Sequence, residues 1–270
     1  MLVVACIKQV PDSTQVEIDP VTNTLRREGV PFIMNPYDTH ALEESLRLKD
    51  RYGVKVAAIS MGPPNAEATL RKALSLGADE AILLSDRCFG GADTLATSKV
   101  LSEAIMKLSE NEEVTLVICG KQTIDGDTAQ VGPGIATRLN YAQLTLVDRI
   151  ESIDLERKKI VVRRNLEGRH EIVGSVLPAV LTVVREINRP RYATVPMRLE
   201  SEEAEVKIWN NQVLKLDEQS VGLKGSPTWV SKIFSPERDE GEIIGDGMND
   251  PERSADLLIE KLVSKDLLPF

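Results

Sequence analysis

The sequence predicts an α/β fold built on a doubly wound, mostly parallel, Rossmann-like sheet. Three observations carry that expectation. Short runs rich in Val and Ile are continuous rather than alternating, the mark of strands buried on both faces. Stretches with helical spacing separate those runs, so strand and helix take turns along the chain. The first two helical stretches end in a glycine suited to a left-handed cap.

Taken in order, the strands are "LVVACI" (2–7), "VKVAAISM" (54–61), "EAILLS" (80–85) and "VTLVICG" (114–120). Helices are expected over 35–53, 63–77 and from "GADTLATSKVLSEAI" at 91–105. In the first, Asn35 caps, Pro36 takes the first helical position and Asp38 suits the dipole. A further helix is expected through 127–140, opened by Asp127 or Thr128. The middle alternates instead: "LTLVDRIESI", "KIVVRRNL" and "RHEIVGSV", joined by "DLERK" and "EGR", predict added antiparallel hairpins. "PAVLTVV" (178–184) reads as a buried strand returning to the main sheet. Beyond "NRPRYATVP" the pattern thins, and 200–250, acidic and carrying Gly and Pro, reads as an extended arm. A last helix follows, capped by Asp250 and led by Pro251, with Ala255, Leu258, Ile259, Leu262 and Val263 as its apolar stripe. The expected division is a nucleotide-binding α/β domain over 1–199 and a C-terminal arm and helix over 200–270.

Composition narrows function. The 270 residues are 42% hydrophobic and 28% charged, ordinary for a globular chain. A net charge of −9 and 4% aromatics argue against nucleic acid and anionic membrane surfaces. Backbone amides and a few local cations would therefore have to hold any phosphate. No membrane span is expected, and the start of the chain runs into a strand pattern without a basic n-region, so a cytoplasmic protein is expected. Cys6, Cys88 and Cys119 show no C-x-x-C spacing and read as reduced thiols. His40 and His170 have no nucleophile nearby in sequence and read as structural or solvated. No catalytic residue and no metal cluster is indicated, so the chain reads as the holder of a cofactor that does the chemistry.

Ligands of an open parallel sheet sit beyond the carboxyl ends of the strands, near the switch point. Of the segments there, "GKQTIDGDTAQVG" is the sharpest. Gly120, Gly126 and Gly132 allow close backbone approach, and Lys121, Gln122, Asp125 and Gln130 add polar side chains. A helix start in that setting suits phosphate. A glycine-rich turn with a good cap is the plain alternative. In "FGGADTLATS", Asp93 is a good cap, while Thr94, Thr97 and Ser98 are either solvated or face the polar edge of a planar ligand.

The motifs "IKQVPD", "MNPYD", "LRLKD", "MGPP", "RKALSLGADEAILLSD", "CGKQTIDGDTAQVGP" and "NRPRYATVP" resemble, along nearly the whole chain, the beta subunit of electron transfer flavoprotein. The resemblance implies an adenine-nucleotide site, an alpha-subunit partner holding FAD, and a C-terminal arm that embraces it. Carried over by motif, the site comprises Cys6, Ile7, Lys8, Asn35, Pro36, Tyr37, Asp38, Met61 and the run Gly120, Lys121, Gln122, Thr123, Ile124, Asp125, Gly126, Asp127, Thr128, Ala129, Gln130, Val131. "DRCFGGADTLATS" and "KGSPTWVSKIFSP" resemble the electron-bifurcating type, which implies FAD here, with Asp93, Thr94 and Thr97 against its ring. It also implies NADH as donor, with an acyl-CoA-type dehydrogenase and ferredoxin or flavodoxin as acceptors. AMP in a non-bifurcating carrier is one alternative, and a stand-alone adenine-nucleotide sensor another. Asn188, Arg189, Pro190, Arg191, Tyr192, Ala193, Thr194, Val195 and Pro196 match the partner-recognition loop, though Val195 replaces leucine and Arg189 replaces glutamate of the mitochondrial-type motif.

Overall fold

The computed structural model describes residues 1–12, 17–18, 25–26, 31–231 and 241–268. Contacts divide the chain into two compact units, Met1–Ser231 and Lys232–Phe270.

In the first unit the elements run β1 (Leu2–Cys6), β2 (Gln9–Pro11), β3 (Glu17–Ile18), β4 (Leu25–Arg26), β5 (Phe32–Met34), α1 (Pro36–Tyr52), β6 (Lys55–Met61), α2 (Glu67–Leu76), β7 (Glu80–Leu84), α3 (Thr94–Ser109), β8 (Val114–Gly120) and α4 (Val131–Leu139). Then follow β9 (Ala142–Asp154), β10 (Lys159–Leu166), β11 (Arg169–Val176), β12 (Ala179–Val183), α5 (Val195–Glu203), β13 (Lys207–Trp209) and α6 (Asn211–Leu214). One sheet takes the order β11-β10-β9-β12-β8-β1-β6-β7-β13. Its pairs are parallel from β9 through β13, and antiparallel only between β9, β10 and β11.

Period-two alternation splits the core. Val3 and Ala5 of β1 join Leu42 and Leu46 of α1 and Leu70 and Ala73 of α2 on one face. Leu2, Val4 and Cys6 join Val100 and Ile105 of α3 and Ile135 of α4 on the other. The doubly wound architecture therefore stands as the sequence implies, hairpins included. Gly53 and Gly77 close α1 and α2 in the left-handed region at φ 66° and 117°. From β1 the chain winds outward through β6 and β7, then returns to place β8 on the other side of β1. That reversal is the switch point.

Two expectations need correction. The fourth helix starts at Val131, with Gln130 as its cap, not at Asp127 or Thr128. Asp127 and Ala129 adopt φ of 50° and 54°, which no right-handed helix accommodates. The compact unit also continues past 199. Helix α5 packs on α2, where Arg71 donates to the terminal carbonyls of Ser201, Glu202 and Ala204 at 2.9, 2.9 and 3.2 Å. Strand β13 extends the sheet beside β7, and Val221 is fully buried. A three-residue strand and a nine-residue helix carry too little periodicity to be read from sequence.

In the second unit, α7 (Pro251–Ser264) has Asp250 as its N-cap, accepting from the Arg253 amide at 3.2 Å. Lys261 pairs with Glu242. The stripe expected for this helix is there, and Leu258, Ile259 and Val263 are exposed. Residues 232–240, parts of two segments singled out from the sequence, lie outside the described residues. Among the described residues no helix is long and apolar enough to cross a membrane.

A methyl group added at Gly132 would sit 2.4 Å from Cγ2 of the buried Thr182. Helix propensity returns at most about 1 kcal/mol for Gly→Ala, whereas overpacking costs about 1–3 kcal/mol. Gly132→Ala is expected to lower the urea midpoint, and adding Thr182→Ser is expected to restore it.

Candidate functional site

At the carboxyl ends of β1 and β8 the two chains part, and their amides lose sheet partners. Asn35 and Asp38, at the start of α1, take those amides up. Asp38 accepts from Lys8 N at 2.8 Å through Oδ2 and from Gly120 N at 3.1 Å through Oδ1. Asn35 accepts from Ile124 N at 3.2 Å and donates to the Gln122 carbonyl at 2.9 Å. Both side chains are buried. Neither is a free ligand group; they hold in register the two loops that form the floor. Tyr37 and Asp38 leave no room at position 120, where a Cβ would meet Asp38 Oδ1 at 2.4 Å and Tyr37 Cβ at 2.6 Å.

Burial drives the Asp38 carboxyl up to about 7, against the opposing bonds from Asn35, Lys8 N–H and Gly120 N–H. Above the floor, Lys8 Nζ meets Asp125 Oδ2 at 2.6 Å across the two loops. Desolvation raises Asp125, and the Lys8 ammonium and Thr123 hydroxyl outweigh it, so this carboxyl lies below its usual range. Cys6 and Cys119 stand opposite each other on β1 and β8. The Cys119 thiol and burial push Cys6 well above the usual thiol range, which makes it an inert, neutral part of the floor.

The segment 127–131 is the most suited to an anion. Asp127 and Ala129 are left-handed, with Thr128 between them and Gln130 in the right-handed region, a backbone that suits an anion-binding nest. The amides of Thr128, Ala129, Gln130 and Val131 take no partner among the described residues. A position as strained as φ 54° at an alanine points to function. No sequence signal marks it, since Ala129 carries nothing that favours this region. Gln122 Nε2 donates to Asp127 Oδ1 at 2.7 Å and steadies the turn. Gly126 leaves space above it, with only Thr123 Oγ1 within 4 Å of an added Cβ, at 3.7 Å.

The third loop joins this wall. Thr94 Oγ1 donates to Gln130 Oε1 at 2.7 Å. Asp93 Oδ1 caps α3 by accepting from Leu95 N and Ala96 N at 2.9 and 3.0 Å. Its Oδ2 accepts from Thr228 N and Thr228 Oγ1 at 3.2 and 2.8 Å. The carboxylate's four acceptor positions are thus used within the chain. Thr97 is half-buried one turn into α3, and Met61 half-buried at the end of β6. Ile7 points into the core beneath α1, and Pro36 starts that helix. Arg185, which sequence reasoning did not single out, lies over the Tyr37 ring at 4.7 Å.

Residues 188–196 do not belong to this site. They lie along α1: Asn188 donates to the His40 carbonyl and to Glu44, each at 3.0 Å, and Arg191 pairs with Glu43 at 2.9 Å and Asp50 at 2.7 Å. His40 Nδ1 meets Asn188 Oδ1 at 3.0 Å, the structural role expected of it. Tyr192 and Val195 stand out to solvent, at 95% and 72% exposure, and Thr194 caps α5 ahead of Pro196. Among the described residues no cluster of three or more His, Cys, Asp or Glu could hold a metal.

The family model described as "Electron transfer flavoprotein domain" matches residues 22–214. The chain is 49% identical over 265 residues to "Protein FixA" of Azotobacter vinelandii, covering 97% of this chain and 94% of that one. It is 49% identical over 245 residues to "Electron transfer flavoprotein subunit beta" of Clostridium acetobutylicum, covering 90% and 92%. It is 45% identical over 271 residues to "Caffeyl-CoA reductase-Etf complex subunit CarD" of Acetobacterium woodii, covering 99% and 100%.

The Asp38 carboxyl binds a proton more readily folded than unfolded between about pH 4 and pH 7. More protons on the native state means that stability falls as pH rises through that window. Asp38→Asn is expected to remove this fall and to lower stability near pH 5, because an amide cannot accept from both backbone N–H groups in the same way. Denaturant unfolding of both proteins at pH 5 and 8 measures it.

Proposed function

This chain belongs to the electron transfer flavoprotein family, as a beta subunit, and on that premise we propose that its strand-end site holds FAD and takes part in electron bifurcation. Beta subunits of this family pair with an alpha subunit. The fit to a dinucleotide rests on the nest at 127–131, whose four amides suit phosphate oxygens in a chain of net charge −9. Lys8, neutralised by Asp125, adds a hydrogen-bond donor there without adding net charge. Asn35 and Asp38 keep the floor in place, and the Thr94–Gln130 bond fixes the third loop to the phosphate-binding wall.

One observation favours FAD over AMP. Of the two segments that resemble the bifurcating type, the first meets Ser226 and Thr228 of the second at Asp93. Ser226 Oγ accepts from Asp93 N at 2.8 Å, and Thr228 bonds the Asp93 carboxylate. Their joint placement beside Thr94 and Thr97 builds a wall beyond what an adenylate alone requires. When bound, the flavin would supply acceptance of a hydride from NADH and its division into two one-electron transfers: one to the alpha-subunit FAD and an acyl-CoA-type dehydrogenase, the other to ferredoxin or flavodoxin. The name of the Acetobacterium relative, a subunit of a caffeyl-CoA reductase complex, supports a CoA-ester partner. In the second unit, the exposed apolar stripe of α7 suits packing on the alpha subunit, and Tyr192 and Val195 suit docking of the dehydrogenase.

Denaturing the purified heterodimer and separating its nucleotides by chromatography is expected to yield two FAD and no AMP. One FAD with one AMP would overturn bifurcation in favour of the simple carrier, and a chain that binds no alpha subunit would favour a sensor. Thr94→Val is expected to lower the flavin retained by this subunit several-fold and to slow NADH-dependent ferredoxin reduction, with the unfolding midpoint nearly unchanged. Unchanged flavin content and rate would remove Thr94 from the site.

A further inference from the structure

Beside α3 lies a shallow depression of about 430 Å³, open to the surface. It lies beside the strand-end nucleotide site proposed above and shares Ser226 with the wall at Asp93. Lys99 of α3, Arg138 of α4 and Lys224 line it, with Gln219, Ser220 and Ser226 as further polar groups. No carboxylate lines it, in a chain with 42 acidic and 33 basic residues. Neither lysine has an ion-pair partner among the described residues. Surface lysines are ordinarily scattered among acids, so three unneutralised cations around one concavity form a local field opposite in sign to that of the whole chain.

The walls are built in advance. Arg138 is fixed by donation from Nε to Ser98 Oγ at 3.2 Å and from Nη2 to the Leu95 carbonyl at 3.1 Å, which leaves guanidinium N–H groups for a ligand. The facing wall is tied down at Ser226, which accepts from Asp93 N and donates to the Gly222 carbonyl at 2.7 Å. Gly222 is wedged so closely that a Cβ there would lie 1.9 Å from the Cys88 carbonyl oxygen. The cations are held apart by two helices and a pinned loop, while the Ser220 and Ser226 hydroxyl protons are donated to the Asp217 and Gly222 carbonyls.

We propose that this depression binds the pyrophosphate group of a second nucleotide, with Lys99, Lys224 and Arg138 as its charge-bearing ligands. Planar and point cations together match bridged phosphates better than they match a single carboxylate. The nucleotide is either a free nucleoside diphosphate or the dinucleotide that donates electrons.

The test titrates the full chain, its strand-end site saturated with AMP, with inorganic pyrophosphate in a calorimeter at low ionic strength. One equivalent is expected to bind, with affinity falling steeply as salt is added. Combined Lys99→Gln and Lys224→Gln is expected to weaken it at least about tenfold through loss of charge-assisted bonds, with the melting curve unchanged. Displacement of pyrophosphate by ADP assigns the depression to nucleoside diphosphates, and displacement by NADH alone assigns it to the donor. No binding at millimolar pyrophosphate, equal binding by the double variant, displacement by AMP, or displacement by neither ADP nor NADH would each overturn the proposal. None of these results alters the FAD count of the heterodimer, so the two readings fail separately.

Discussion

Unpaired backbone at the switch point is the constraint from which the rest follows. Where β1 and β8 part, the amides of Lys8, Gly120 and Ile124 and the carbonyl of Gln122 have no ladder to join. Each such group left buried and unsatisfied costs about 1–3 kcal/mol. Two side chains at one helix start meet all four needs, and that fixes much else. Helix α1 must begin at Pro36 so that Asn35 and Asp38 both face inward. Residue 120 must be glycine, because Asp38 occupies the space of a side chain. The carboxyl itself is carried above its ordinary range, so the floor is held at an electrostatic cost that only its several bonds offset.

This arrangement separates the work of side chains from that of the backbone. Asn35, Asp38, Asp93 and Gln122 are the residues a reader of sequence would choose as ligands. In the structure, Asn35, Asp38 and Asp93 spend their polar atoms on the chain itself, and Gln122 donates to Asp127. What they leave available is backbone: the amides of 128–131, on a turn with two left-handed residues. A nest of this kind tolerates little movement, since each amide contributes only a partial charge and the sum depends on direction. The clamp below, the Gln122–Asp127 bond beside it and the Thr94–Gln130 bond above hold that direction from three sides.

How much of this was legible follows from the range of the forces involved. The parallel sheet was, because burial on both faces writes itself into continuous runs such as 54–61 and 114–120. The hairpins were, because one solvated face produces alternation over 144–176. The strand ends and glycines on which a site was expected were legible too, since they are local features. The strained turn was not: "DGDTAQVG" has the composition of a helix start, yet the helix begins only at Val131, where Gln122 holds Asp127 and the distant Thr94 holds Gln130. Nor was the return of 207–209 to the sheet edge. Its register is set by β7 and by the Lys207–Glu80 pair at 2.5 Å, partners more than a hundred residues away. From its own residues Asp93 read as a cap, which it is, and its second set of partners, at 226–228, is equally distant in sequence.

The charge of the chain makes sense of the same division. A full charge 4 Å from a ligand contributes about 4 kcal/mol at an effective dielectric of 20, and less where water enters. A lysine placed beside a carboxylate is drawn to it, as Lys8 is drawn to Asp125. Backbone dipoles cannot be neutralised in that way, so a nest keeps its affinity beside such an acid. On the third loop Asp93 follows the other course: against desolvation, the donors of Leu95, Ala96 and Thr228 hold its carboxylate ionised and below its usual range, with no acceptor position left over. A ligand ring placed beside Thr94 would meet a carboxylate fixed in position and already hydrogen-bonded, not one free to turn toward it.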